Sequence, residues 1–196
     1  ALAGSDWQEV FIMETASKKI LKEKIQYVKF SNCSWDGDEG FYYSGYDRPD
    51  ESSKLSKQNQ YHKVFYHKLG TEQSSDQLIY EDEAHPLRYH FASLTEDGHF
   101  LILSIAEGTS GSEVWFRNMK DASQKGFKLL IKGFSTDQDV IDNDGDKLLV
   151  RTNADAPNYK VVLIDPRNPA VSGLKTVIPE KPEALQVVST GGGNLF

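Results

Sequence analysis

A chain of 196 residues, 38% hydrophobic and 11% aromatic, is long enough to bury a core, and it fits neither the disordered nor the membrane-spanning class. Its formal charge of −7 argues against work on phosphate backbones, which needs clustered Lys and Arg, so nucleic acid and membrane are not expected partners. One cysteine, Cys33, excludes an internal disulfide and a Cys-rich zinc knuckle and is compatible with a reducing compartment.

The first predicted element is a hairpin in WQEVFIMETASKKILKE from Trp7, two β-rich stretches around a polar connection. SWDGDEGFYYSGY from Ser34 follows, with an Asp-Gly turn between strands; that dipeptide tolerates the positive φ a tight hairpin needs. GYDRPDESSKLSKQNQYH reads as a Ser/Lys/Asp loop, after which HKVFYHKLGTEQSSDQLIYED from His62 forms a second hairpin with a long polar overhang, HKLGTEQSSD. The two types of hairpin then alternate. LTEDGHFLILSIA from Leu94 is followed by SEVWFRNMKDASQKGFKLLIKG from Ser112, and IDNDGDKLLVRTN from Ile141 by YKVVLIDPRNPAVSGLKTVIPE from Tyr159. FLILSIA (Phe100 to Ala106) is the longest apolar run; it suits one buried strand and is too short to cross a bilayer.

The turn residues Asp36, Asp97 and Asp144 are spaced 97 − 36 = 61 and 144 − 97 = 47, and a further 47 lands on Gly191 in the closing VSTGGGNLF. Four strands in units of about 45 residues are the signature of a β-propeller blade. No helical stripe competes. The expected fold is therefore all-β, a partial propeller of four-stranded antiparallel blades. Three blades are complete, at approximately 29–84, 85–133 and 134–182, and a split one supplies an outer half at 1–28 and an inner half at 183–196. The termini are expected to belong to one strand, as in a piece of a larger propeller. Split halves expose strand edges, and eight blades from two chains need about 45° each, against about 90° for a four-bladed ring, so a strand-exchanged homodimer is an expected partner state.

Candidate chemistry is sparse. Asp137, Asp139, Asp142, Asp144 and Asp146 suggest calcium, but a loop with Gly145 at the sixth position would begin at Val140, and one beginning at Asp142 would need Glu where Asn153 stands. Solvated turn carboxylates are expected. His85 and His90 in HPLRYHF have no metal-ligand spacing and read as ordinary loop and strand histidines. Ser110 in GTSGS misses the Gly-x-Ser-x-Gly nucleophile elbow, and GGGNLF lacks the Lys and Ser/Thr of a phosphate loop. Cys33 beside Trp35 reads as core packing. Neither a cofactor nor a metal is expected.

VKFSNCSW, FYYSGYDRP, HKVFYHKLGTEQSSDQLIYED, LTEDGHFLILSIAEGTSG and NADAPNYKVVLIDP closely resemble the propeller domain of prolyl oligopeptidases, the serine peptidases also called prolyl endopeptidases. The resemblance runs over essentially the whole chain. It implies a seven-bladed parent propeller covering an α/β-hydrolase domain that carries the Ser-His-Asp triad, and restricting entry to short peptides. The expected partners are thus that hydrolase domain and short proline-containing peptides. No catalytic residue of the triad is in this chain, which is expected to be inactive by itself. The overhang HKLGTEQSSD is implied to be a rim connection, with Gly70 and Thr71 in its turn and Gln73, Ser74 and Ser75 satisfying backbone groups.

The same resemblance implies three substrate-binding positions. Phe30 matches the phenylalanine of VKFS that lines the proline-side pocket, Tyr89 follows HPLR, and Thr109 follows the Glu-Gly pair. Mammalian relatives carry other residue types at the last two and an arginine where this chain has Ala106. A cytoplasmic location is expected, with the periplasm as the alternative. The competing reading is a stand-alone propeller used as a protein-interaction scaffold.

Overall fold

Every Asp-Gly dipeptide in the repeat sits at a reversal of the chain, and the glycines there carry the positive φ those turns demand: 52° at Gly37, 68° at Gly98 and 58° at Gly145. The computed structural model describes residues 6–48, 58–169 and 174–196. They belong to two compact units, Ala1–Ser93 and Leu94–Phe196.

The first unit is built on one sheet of order β1-β2-β3-β4-β5, from β1 (Gln8–Met13), β2 (Ile20–Asp36), β3 (Gly40–Gly45), β4 (Lys63–Lys68) and β5 (Gln77–Tyr80). Five strands appear instead of four because β2 is long enough to serve two hairpins. Its first part pairs with β1, from Ile20 opposite Met13 to Val28 opposite Gln8, and its last part pairs with β3, from Cys33 opposite Tyr43 to Asp36 opposite Gly40. The division drawn at residue 28 falls inside this strand. There the ladder slips between Val28 and Cys33, and Tyr27 and Phe30 take φ of 60° and 51°. Every residue of β3 is buried. Its Phe41 and Tyr43 meet Ile12, Ile25 and Val28 in one apolar cluster.

The overhang after β4 is a structural tie. Gln73, in a single 3-10 turn Gln73–Ser75, accepts the Gln26 N–H on its Oε1 and donates its Nε2 to the Gln26 carbonyl, both at 2.9 Å. Ser75 Oγ donates to the Glu72 carbonyl at 2.7 Å. Asp76, whose side chain is 3% exposed, accepts from Tyr43 Oη and pairs with His67 Nδ1, each at 2.7 Å. The polar residues that look like a solvated loop therefore bind β5 back onto β2 and β3.

The sheet β6-β7-β8-β9 comes next, from β6 (Tyr89–Leu94), β7 (Phe100–Ala106), β8 (Glu113–Asn118) and β9 (Lys128–Ile131), followed by β10-β11-β12-β13, from β10 (Gln138–Asp144), β11 (Lys147–Thr152), β12 (Lys160–Ile164) and β13 (Lys175–Ile178). A last hairpin, β14 (Thr190–Gly191) and β15 (Asn194–Leu195), closes the second unit. The continuous apolar runs of β7 and β11 follow from burial on both faces. Phe100, Ile102, Val114 and Phe116 pack against Leu148, Val150, Val162 and Ile164 between two sheets, while Leu149, Val161 and Leu163 turn the other way toward Leu185, Val188 and Leu195. Within the second unit, antiparallel sheets packed face to face in sequence order follow propeller construction, and the fold is all-β.

Two sequence expectations need correction. Cys33 is exposed and Trp35 is 51% exposed, so neither is enclosed in the core; they stand opposite Tyr43 and Phe41 and share their face, but on the part of β2 that runs past its pairing with β1, where no strand among the described residues flanks it on that side. The acidic stretch is not uniformly solvated either. Asp139, Asp144 and Asp146 are exposed, but Asp142 is 7% exposed and accepts the Glu96 N–H at 3.0 Å and Thr190 Oγ1 at 2.9 Å. Asp137 accepts from Tyr159 Oη and Gly111 N–H, both at 2.6 Å, and these bonds hold its carboxyl below the ordinary value. Asp142 joins three successive repeats, because Glu96 lies in the turn before β7, Asp142 on β10 and Thr190 on β14. Truncating Asp142 to Ala removes two hydrogen bonds to a buried carboxylate, so a loss of about 2 kcal/mol is expected in urea unfolding; an unchanged midpoint would show the tie to be dispensable.

Candidate functional site

Two of the three candidate residues meet at the slip in β2. Phe30 is a bulky residue in the left-handed region, a conformation that persists only where neighbours hold it, and such positions concentrate at functional sites. Phe30 as a whole is 45% exposed. It meets the Tyr89 ring edge to face, with centroids 5.1 Å apart and planes at 80°. Tyr89 opens β6 and is partly buried. Two of the three candidate residues, far apart in sequence, thus form one aromatic pair. Thr109 lies in the second unit, in an exposed bend between β7 and β8. Ser110 shares that bend and leads into a strand, not the helix a nucleophile elbow requires.

Around the pair stand residues that sequence reasoning did not single out. Lys29 is 8% exposed, and its Nζ lies 5.2 Å from the Phe30 ring centroid and 5.3 Å from that of Trp7, in cation–π range of both. Asp6 pairs with this ammonium at 2.9 Å, which lowers the Asp6 carboxyl from its ordinary value. Tyr46, reached just after β3, packs edge to face on Trp7 at 5.8 Å and against His62 at 4.8 Å. Burial, and secondarily Tyr89, pushes the Tyr46 phenol up.

His62 is 1% exposed and lies under this surface. Its Nε2 is 3.0 Å from the Lys29 carbonyl and its Nδ1 is 2.9 Å from the His90 N–H. A carbonyl only accepts and an N–H only donates, so the hydrogen resides on Nε2 and the lone pair on Nδ1. His90 reciprocates with its own Nδ1, which donates to the His62 carbonyl at 2.6 Å, leaving its Nε2 with no protein partner among the described residues. Burial drives His62 down to about 4 and His90 also down, so both rings are neutral at neutral pH. His90 is therefore a buried structural histidine. His85, exposed and paired with Asp82 at 2.8 Å, belongs to the loop before β6.

The family model described as the prolyl oligopeptidase N-terminal β-propeller domain matches residues 1–196. The chain belongs to this family. It is 44% identical over 98% of its length to a prolyl endopeptidase of Elizabethkingia meningoseptica, and 41% identical over 98% to that of Elizabethkingia miricola. In each case it spans 27% of the relative. A solved prolyl endopeptidase, from a study of inter-domain dynamics in catalysis and specificity, superposes on 98% of the chain and 27% of that structure, with TM-score 0.82 and 31% identity. Prolyl oligopeptidase B of Galerina marginata, solved with a 35mer hydrolysis and macrocyclization substrate, covers 95% of this chain and 28% of its own, with TM-score 0.79 and 26% identity. The clustered residues comprise an edge-to-face aromatic pair and one held ammonium; among the described residues no group of His, Cys, Asp and Glu is arranged to hold a metal.

Proposed function

We propose that this chain is the part of a prolyl oligopeptidase propeller that faces the peptide, and that Phe30 and Tyr89 form an aromatic wall for a substrate residue on the proline side. The carrying observation is the exposed Phe30, held at positive φ against Tyr89, in a chain of this family. A partly exposed, edge-to-face aromatic pair suits a proline ring because it rewards shape and apolar contact without asking for hydrogen bonds. Thr109 is the third position of the same reading, and the stretches 29–84, 85–133 and 134–182 are its blades. The bond-breaking groups belong to a hydrolase domain, and the propeller's contribution is steric: it admits an unstructured peptide and excludes a folded domain.

The wall is tested by titrating the chain with N-acetyl-Gly-Pro-amide while following aromatic resonances. The Phe30 and Tyr89 ring signals are expected to shift together at millimolar peptide, with no hydrolysis, and Phe30→Ala is expected to weaken the effect about tenfold, the equivalent of one lost aromatic contact. Shifts confined to residues outside the pair would refute the assignment.

A further inference from the structure

We propose that His62 is the positioning residue of the aromatic wall: one neutral imidazole that fixes both strands carrying Phe30 and Tyr89. The proposal rests on the reading of that pair as a substrate wall, but its geometry stands by itself. The carbonyl that His62 Nε2–H grips is the one in the Lys29–Phe30 peptide, and the N–H that its Nδ1 accepts is the one in the Tyr89–His90 peptide. His62 thus bonds to a peptide group flanking each wall residue. These two peptides lie on β2 and β6, at sequence separations of 33 and 28 from His62.

The ring also packs against the wall, with centroids 5.8 Å from Tyr89 and 5.8 Å from Phe91, both edge to face. The reciprocal bond from His90 Nδ1 to the His62 carbonyl fixes the backbone from which the imidazole projects. Phe30 needs such a hold. Its positive φ is unfavourable for a bulky side chain, and the Lys29 carbonyl that His62 holds lies in the peptide bond entering Phe30.

The chemistry explains the residue type. The position requires a donor and an acceptor on opposite sides of one rigid, flat, apolar-faced group, and neutral histidine supplies both. Leucine supplies neither. Glutamine supplies a donor and an acceptor on a flexible stem, so it restores the bridge in part.

Two measurements on the chain test this. Imidazole nitrogen resonances of the wild-type protein at pH 7 are expected to show His62 protonated at Nε2 and bare at Nδ1; the opposite tautomer, or a doubly protonated ring, would overturn the proposal whether or not any variant folds. In His62→Leu, proton contacts between the Phe30 and Tyr89 rings are expected to vanish while the methyl signals of Leu148 and Val150 keep their positions, and His62→Gln is expected to recover part of the ring contact. Undiminished Phe30–Tyr89 contacts in a folded His62→Leu protein would equally overturn it. The peptide titration separates the two readings: if ring contacts depend on His62 yet N-acetyl-Gly-Pro-amide never shifts the rings, the clamp stands and the substrate wall fails.

Discussion

Replacing Gly111 by Ala is expected to destabilise the second unit by about 3–5 kcal/mol, an effect at the upper end for one added methyl group. Gly111 enters β8 at φ of 77°, where an L side chain is already strained. A Cβ there would lie 1.8 Å from the Phe134 carbonyl oxygen and 2.5 Å from its carbonyl carbon. These are backbone atoms and cannot rotate aside as the tip of a side chain could. Moving them would also disturb the 2.6 Å bond from Gly111 N–H to Asp137, and with it the Tyr159 and Asn153 contacts of that carboxylate. Gly108, three residues earlier, is the internal control. It has open space at its Cβ position and no positive φ, so Gly108→Ala is expected to change stability by less than about 0.5 kcal/mol. Urea unfolding of the two variants side by side reads the difference. Equal midpoints would mean that the approach of the two loop segments is looser than the structure has it.

Acid is expected to weaken the first unit through His62 before any carboxylate responds. The folded-state value is about 4 against an ordinary 6.5, a gap of 6.5 − 4 = 2.5. Because the unfolded chain takes up the proton first, stability from this group is fully present above pH 6.5, falls with pH below that, and is exhausted near pH 4. The total is about 3 kcal/mol. His90, also lowered by burial, acts in the same direction. The groups facing His62 from the neighbouring elements are Lys29 on β2, Tyr46 after β3, and Tyr89 and His90 on β6; none of them is an acid that could stabilise an imidazolium. The lowered carboxylates Asp82 and Asp137 lose their contributions only in more acidic solution, below their ordinary 3.8. Urea midpoints at pH 7 and pH 4.5 should therefore differ by most of this amount in the wild type and by clearly less in His62→Gln. A wild-type midpoint that holds or rises at pH 4.5 would contradict the burial of a neutral ring.

Much of the fold was legible because propeller repeats write themselves locally. The Asp-Gly turns, the alternation of hairpin types and the two-faced apolar runs at Phe100–Ala106 and Lys147–Thr152 are all short-range signals, and each became the expected strand or turn. What could not be read was long-range pairing. Nothing in the neighbourhood of Asp142 announces that it will be buried between Glu96 and Thr190, since those partners are 46 and 48 residues away. The same holds for Gln73, whose amide meets Gln26 across 47 residues. The candidate site divides in the same way. Phe30 and Tyr89 were reachable through family resemblance, whereas His62 and Lys29 carry no local mark: QYHKVF looks like any strand entry, and a lysine beside a phenylalanine looks solvated until Trp7 closes over it. Cys33 and Trp35 misled for a related reason. Hydrophobic type within a strand does not say whether a neighbouring strand covers it, and β2 loses its β1 neighbour beyond Val28 while its pairing with β3 continues to Asp36.

The most direct test is steady-state cleavage of an N-acylated Gly-Pro substrate by the protein that joins this chain to a prolyl oligopeptidase hydrolase domain, with and without Phe30→Ala. An aromatic wall that contacts substrate predicts a rise of about tenfold in KM with kcat much less affected, and no turnover by the chain alone. Identical KM and kcat in the two proteins, or turnover by the isolated chain, would contradict it.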